Sequence, residues 1–207
     1  MSNRTNAILV SSGPERSPAA ISWVETRRRM DEDWRRLRAM GLGGVGPARS
    51  AARWYRISHF FARRGWQGIA RFFWQLNHLL NGVDVHPEAD LQGGLALLQP
   101  AGVSVHADAG RNLTVMALAG VSGGLGEIPS SGVPRGRPVL GDNVHVGHQA
   151  GIYGGVRVGS DVYVAPGCFV TMDIESNVTM IPPRIRFQRI PRGAATVATH
   201  ADCGGDA

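Results

Sequence analysis

Cysteine is nearly absent: Cys168 and Cys203 are the only two thiols in 207 residues. Such a count supplies neither a disulfide framework nor a cysteine-based metal site. Long apolar runs are also missing. No stretch approaches the roughly 20 apolar residues that span a bilayer. The N-terminal segment MSNRTNAILVSSGPERS holds an apolar stretch too short for a secretory signal. A reduced, cytoplasmic location without stable membrane insertion is expected. Acidic residues are outnumbered, 16 against 22 basic ones, for a net charge of +6. Such a surplus favours an anionic partner in general, nucleic acid, membrane or a phosphorylated cofactor. Here, however, it is concentrated in Arg runs such as Arg27-Arg28-Arg29 and Arg35-Arg36, which read as a solvated helix face using Arg in place of Lys.

Glycine, by contrast, is abundant, with 28 residues. That argues against a mostly helical protein and for many tight turns, since Gly adopts positive φ without steric cost. Hydrophobic residues make up 43%, enough for a packed core. The length fits one compact domain with a smaller appended element.

The decisive pattern is a repeat of period six. One series of aliphatic or small residues runs Val85, Leu91, Leu97, Val103, Ala109, Val115 and Val121. Its i+4 partners are Ala89, Leu95, Ala101, Ala107, Leu113, Ala119 and Leu125. A second series runs Leu140, Val146, Ile152, Val158, Val164 and Val170, with partners Val144, Ala150, Val156, Val162, Cys168 and Ile174. Neither a helix, with period 3.6, nor a lone strand, with period two, gives six. A three-sided coil does. Each hexad supplies a short strand and a turn, and three hexads close one coil. The i residue fills a corner, and i+4 stays small because the opposite walls are close. Stacked coils then pair strand to strand in parallel, as in solenoids. Between the series lies SGGLGEIPSSGVPRGRP, residues 122–138, which breaks the phase and reads as a protruding loop.

The flanks differ. Residues 1–19 have a disordered composition. Residues 20–81 read as an α-helical cap: a charged helix from Ile21 to Met40, a Gly-rich break at Gly41 to Gly46, and a helical region over 52–80 split by Gly65 and Gly68. This last region is dense in aromatics, including Trp54, Tyr55, Phe60, Phe61, Phe73 and Trp74. It reads as a lid on the first coil, because an uncapped β-helix end exposes an apolar cross-section and open backbone groups. The β-helix is expected over 82–185, with its regular repeat stopping after Ile174, and a loose tail over 186–207.

Three stretches resemble the serine acetyltransferase family of hexapeptide-repeat acyltransferases. These are RISHFFARRG at 56–65, GVDVHPEADL at 82–91 and GRPVLGDNVHVGHQAGIYGGVRVGSDVYVAPGCFV at 136–170. The resemblance implies a mainly β fold, a left-handed parallel β-helix behind an N-terminal α-helical cap. It also implies a homotrimer or dimer of trimers, with acetyl-CoA or another acyl-CoA bound in a groove between neighbouring coils; an acyl carrier protein is an alternative donor. In the family a His acts as general base on the acceptor hydroxyl and an Asp orients it. By this likeness the orienting Asp falls on Asp84 and the base position on Gln99. A second, substrate-contacting His falls on Arg137. Glutamine cannot take a proton; it only donates and accepts hydrogen bonds.

Three readings of the altered site stay open. The acceptor is an amine or thiol that needs orientation more than deprotonation, with Gln99 positioning it. Or another His serves, His106 being the candidate on the next hexad. Or the chain is a catalytically silent trimeric scaffold. Arg135 and Arg137 are candidates for holding a phosphate or carboxylate of the substrate. Gly123, Gly124, His148 and Arg184 are candidates for CoA. His86 is read as a hydrogen-bonding corner residue, His145 as solvated, and His59 and His78 as structural. No His pair shows metal-ligand spacing in the sequence. The chain ends Gly-Gly-Asp-Ala instead of in the Ile with which family members bind their partner sulfhydrylase, so that complex is not expected. A membrane- or nucleic-acid-binding module built on the basic aromatic cap is the remaining alternative.

Overall fold

The computed structural model describes residues 20–42, 46–123 and 136–182. Three helices precede the strands: α1 Trp23–Ala39, α2 Pro47–Ala62 and α3 Gln67–Asn81. Ser22 caps α1, its hydroxyl accepting from the Glu25 N–H at 3.1 Å. Pro47 opens α2 at a position where its missing N–H costs nothing. The break between α2 and α3 falls at Gly65, whose φ is +79°. Gly68, expected to share that role, lies inside α3.

Among the described residues, fourteen short strands follow and form three parallel faces. Face A holds β1 Asp84–Val85, β4 Ser104–Val105, β7 Gly120–Ser122, β10 Gly151–Tyr153 and β13 Phe169–Val170. Face B holds β2 Asp90–Leu91, β5 Asp108–Ala109, β8 Val139–Leu140 and β11 Arg157–Val158. Face C holds β3 Ala96–Leu98, β6 Thr114–Met116, β9 His145–Val146, β12 Tyr163–Val164 and β14 Thr179–Met180. The chain visits A, B and C in turn, giving the parallel β-helix that the hexads imply, with the left-handed sense that the family resemblance implies. Its interior is a column of buried aliphatics: Val85, Val105, Val121, Ile152 and Val170 stack on face A, and equivalent stacks fill faces B and C.

The register corrects the six-residue phase in two places. Val85 pairs with Val105, not Val103. The step from Leu97 to the next face is thus eight residues, and the step from Val105 to Ala109 only four, so the phase recovers unnoticed. Val103 is buried as well, so the uninterrupted hexad series still falls on core positions. The second correction is at the C-terminal end. Ile174 bridges Val158, so it begins a new face instead of ending the one that Val170 began. The coil then continues through β14, where Val164 pairs with Met180 and Val178 and Met180 pack on the core.

The corner between faces B and C carries positive φ at Gly94, Asn112, Asn143, Asp161 and Asn177. Short polar side chains tolerate this left-handed backbone best after Gly. They also bond to one another. Asn112 Nδ2 donates to Asn143 Oδ1 and Asn143 Nδ2 donates to Asp161 Oδ1, both at 2.9 Å.

The basic runs are not a uniformly solvated face. Arg27 and Arg35 are exposed, but Arg29, Arg36 and Arg56 fasten the cap to the coil. Arg29 Nη1 donates to Asp90 Oδ1 at 2.8 Å, Arg36 Nη1 to the Gly94 and Leu113 carbonyls, and Arg56 Nη2 to the Gln92 carbonyl at 2.7 Å. Buried Tyr55 adds a bond from its hydroxyl to the Ala89 carbonyl at 2.7 Å. Helix residues thus satisfy carbonyls at the open end of the first coils, which is what a cap must do.

Candidate active site

Three of the residues singled out in the sequence, Asp84, His106 and Arg137, gather around face A. Asp84 starts β1, and the indole N–H of Trp74, on α3, donates to its carboxylate at 2.8 Å. The same indole meets the His86 ring edge-on at a centroid distance of 5.4 Å. Because Val85 pairs with Val105, the residues that follow them, His86 and His106, lie one above the other. Their rings stack at 4.2 Å. Backbone bonds hold both in place: His86 N–H to the Val105 carbonyl at 2.9 Å, and His106 N–H to the Val121 carbonyl at 2.7 Å. Burial pushes the His106 imidazole below its ordinary range, and the neighbouring His86 and Arg137 push it the same way.

Arg137 closes this corner. Its Nη2 donates to Asp108 Oδ2 at 3.0 Å and its Nη1 to the Glu88 carbonyl at 3.4 Å. Of the sequence candidates, Asp84, His106 and Arg137 are brought together here. Trp74, Glu88 and Asp108 were not foreseen. Only the coil register joins them to the site, since Glu88 and Asp108 sit on successive coils.

Gln99 sits elsewhere. It follows β3 at the corner between faces C and A, exposed, with φ +56°. The Leu118 N–H donates to the Ala101 carbonyl at 3.2 Å, so Ala101 aligns with Ala117 of the next coil, and Gln99 and Pro100 are the two extra residues of the long step. Asp84 stands on face A between this corner and the one holding His106. His106 thus lies at the far end of the face from Gln99 within one protomer, and does not replace it at the same corner. His148 does share the Gln99 corner: the β6–β9 register and the Leu118 N–H to Ala101 carbonyl bond align His148 with Ala117 and Ala101, two residues past Gln99. Gln99 and His148 are two coils apart, about 10 Å along the axis. His145, expected to be solvated, is half-buried and tilted against Tyr163 at 4.8 Å. Burial, and next Arg36, lower its pKa. Gly123 ends the first series of coils, and a Cβ there would stand 2.9 Å from the Gly136 carbonyl oxygen. Gly124, Arg135 and Arg184 lie outside the described residues, as does most of the 122–138 loop. A separate cavity of about 540 Å³ lies between α1 and α2 and shares no residue with this region.

Residues 137–171 match the family model described as bacterial transferase hexapeptide (six repeats). A serine acetyltransferase of Helicobacter pylori is 30% identical over 130 residues, covering 61% of this chain and 72% of that protein. The chain belongs to the serine acetyltransferase family. A second member, from Synechococcus elongatus, is 31% identical over 137 residues, covering 65% of this chain. The chain spans about half, 54%, of that protein's length. In three dimensions it resembles the crystal structure of serine acetyltransferase isoform 3 from Entamoeba histolytica in complex with cysteine. The TM-score is 0.70 at 18% identity, over 81% of this chain and 62% of that one. Neisseria gonorrhoeae serine acetyltransferase gives a TM-score of 0.69 at 24% identity, over 81% of this chain and 68% of that one. These structures establish the shared fold.

Proposed function

We propose that the chain is an acyltransferase that moves an acyl group, acetyl in the simplest case, from CoA to a hydroxyl or amine of a small acceptor. The observation that carries this reading is the Trp74–Asp84 bond. It fixes a carboxylate on the exposed side of the first face-A strand, inside the family's Gly82-to-Pro87 motif. A carboxylate held there orients an acceptor's N–H or O–H. In the reaction the acceptor atom attacks the thioester carbonyl, a C–N or C–O bond forms, and the C–S bond breaks. The acceptor's proton leaves and the CoA sulfur departs as the thiol. An acyl carrier protein supplies the same thioester in a variant of this reading.

Gln99 marks the departure from a serine hydroxyl acceptor. A serine hydroxyl is a weak nucleophile at neutral pH and needs a base, and an amide side chain provides none. An amine acceptor with a free lone pair needs only orientation, which Gln99 and Asp84 supply, while Arg137 and Arg135 attract an anionic group of the substrate. Gly123, Gly124, His148 and Arg184 are assigned to the CoA side. The assembly in this reading is a homotrimer, or a dimer of trimers, whose clefts complete the site. The strongly exposed Phe169 and Val139, 67% and 50% accessible, supply apolar surface for subunit contact. The reaction is placed in the cytoplasm, and no sulfhydrylase complex, nucleic acid or membrane enters it. No helix among the described residues is long and apolar enough to cross a membrane.

A thiol-release assay with acetyl-CoA against a panel of small amines and alcohols tests the reading, together with thermal-shift titration of CoA. Turnover with at least one acceptor, lost in Asp84→Asn, supports it. No turnover and no CoA-induced shift transfers the chain to the second reading, a non-catalytic trimeric binding or scaffold protein, which exposed Gln99 at the base position favours.

A further inference from the structure

The corner where His86 and His106 stack carries more ligating chemistry than acyl transfer uses. One ligand atom each from His86, Glu88 and His106 lie within 4.8 Å of one another. We propose that these three side chains bind a divalent transition-metal ion, zinc above all, through two imidazole nitrogens and one carboxylate oxygen.

The donor set is the first argument. Two His and one carboxylate form a zinc set that leaves a further position open for water or an anion. The same set also suits other first-row divalent metals. Zinc bonds of about 2.0–2.2 Å place neighbouring ligand atoms about 3.3–3.6 Å apart. Drawing the three groups in from their present spacing needs side-chain movement of about an ångström, and Glu88 is exposed and free to supply it.

The scaffold is the second argument. His86 and His106 come from successive coils whose backbones are locked by the Val85–Val105 pairing. Residue 86 is followed by Pro87, which restrains the turn leading to Glu88. Trp74 packs on the edge of the His86 ring. His86 Nδ1 accepts the Glu88 backbone N–H at 3.2 Å. Ligation through that nitrogen replaces a long hydrogen bond at small cost.

Charge is the third. The nearby cation, Arg137, is paired with Asp108 at 3.0 Å. Its repulsion of an incoming ion is thereby reduced, and an anion on the open metal position would meet the guanidinium.

The test uses the full untagged chain, stripped with chelator. Zinc chloride is titrated by calorimetry, and cobalt(II) by visible absorption, whose intense ligand-field bands report a four-coordinate site. One ion per chain with a dissociation constant tighter than about 10 µM is expected, with H86A and H106A each weakening it by about 100-fold or more. E88Q should weaken it about 10-fold, and H78A, at an exposed His on α3, should leave it unchanged. If the alanine variants lose their circular-dichroism signal, H106N and E88Q, judged on the same titration, decide the question. Weaker or undetectable binding, or equal affinity in wild type and in the site variants, overturns the site. Because the readout is metal affinity, its outcome is independent of acyl transfer.

Discussion

Arg56 and Asp33 form an ion pair closed off from solvent, with side chains only 1% and 4% exposed. Arg56 Nε stands 2.9 Å from Asp33 Oδ2, and Nη2 stands 3.0 Å from Oδ1. The remaining valences are also used: Arg56 reaches the Leu91 and Gln92 carbonyls, and Asp33 Oδ1 accepts the Leu95 N–H at 2.7 Å. One pair therefore ties α1 and α2 to the first coil.

Removing one partner should be severe. Arg56→Met or Asp33→Leu alone leaves a buried charge without its counterion, and each should cost about 3–5 kcal/mol. Combining the two should recover a large part of that loss, since an apolar pair of similar volume needs no desolvation. Urea unfolding of the two single variants and the double variant measures the coupling.

His59 gives the fold an acid limit. It is buried, its Nδ1 lies 2.8 Å from the Pro87 carbonyl, and burial lowers its pKa to about 4. Unfolded, the imidazole takes up a proton near its ordinary value of 6.5. The unfolded chain therefore binds more protons than the folded one between these values. The stability due to neutral His59 is complete above about pH 6.5 and falls as pH drops toward 4. Thermal denaturation of wild type and His59→Gln at intervals from pH 7.5 to 4 should show the wild type losing more stability across that window.

Gly147 and Gly167 should respond differently to the same substitution. A Cβ at Gly147 would meet the Pro166 nitrogen at 2.7 Å and the Val164 oxygen at 2.8 Å. Both are backbone atoms of the next coil, which cannot move aside singly. Gly147→Ala should cost about 1–3 kcal/mol or more. At Gly167 there is open space and a φ of +73°, so Ala there should cost only the left-handed backbone penalty, about 1–2 kcal/mol. Denaturant midpoints of the two variants make the comparison.

Gln99→His places an imidazole at the position where the family's base is expected. Serine acetylation should rise in this variant by about 10²-fold or more if the rest of the site is complete. Trp74→Phe keeps an aromatic edge near His86 but removes the donor to Asp84. Acyl transfer should fall with little change in melting temperature, measured side by side with the wild type.

The repeat was legible because a β-helix is quasi-one-dimensional: each hexad contacts only its neighbours along the axis, so its periodicity survives in the linear sequence. Where the period slipped, at Val103–Ala109 and again after Val170, compensating steps or a short corner hid the slip. Val103, buried in the core like Val105, kept the pattern plausible. Asp84, Gln99 and Arg137 were found through family motifs. Glu88, Asp108 and Trp74 were not, because an exposed Glu or a cap Trp carries no periodic signal and acquires meaning only from its neighbour on the next coil. The Arg runs hide their contacts for the same reason, since an Arg one or two positions from a solvated one can face an acceptor of another element.

Residue order alone determined that this chain winds into a three-sided coil, because inward-facing aliphatics and their small i+4 partners recur at a spacing no other regular structure accommodates. Tertiary structure alone decided what lies one coil away: that His86 stacks on His106 across twenty residues, that Gln99 stands at the opposite end of a face from them, and that buried arginines hold the cap. The physical reason is that coil-to-coil registry depends on the number of residues in each corner, and a gain or loss of two residues there changes every lateral contact while leaving the hydrophobic pattern almost unaltered.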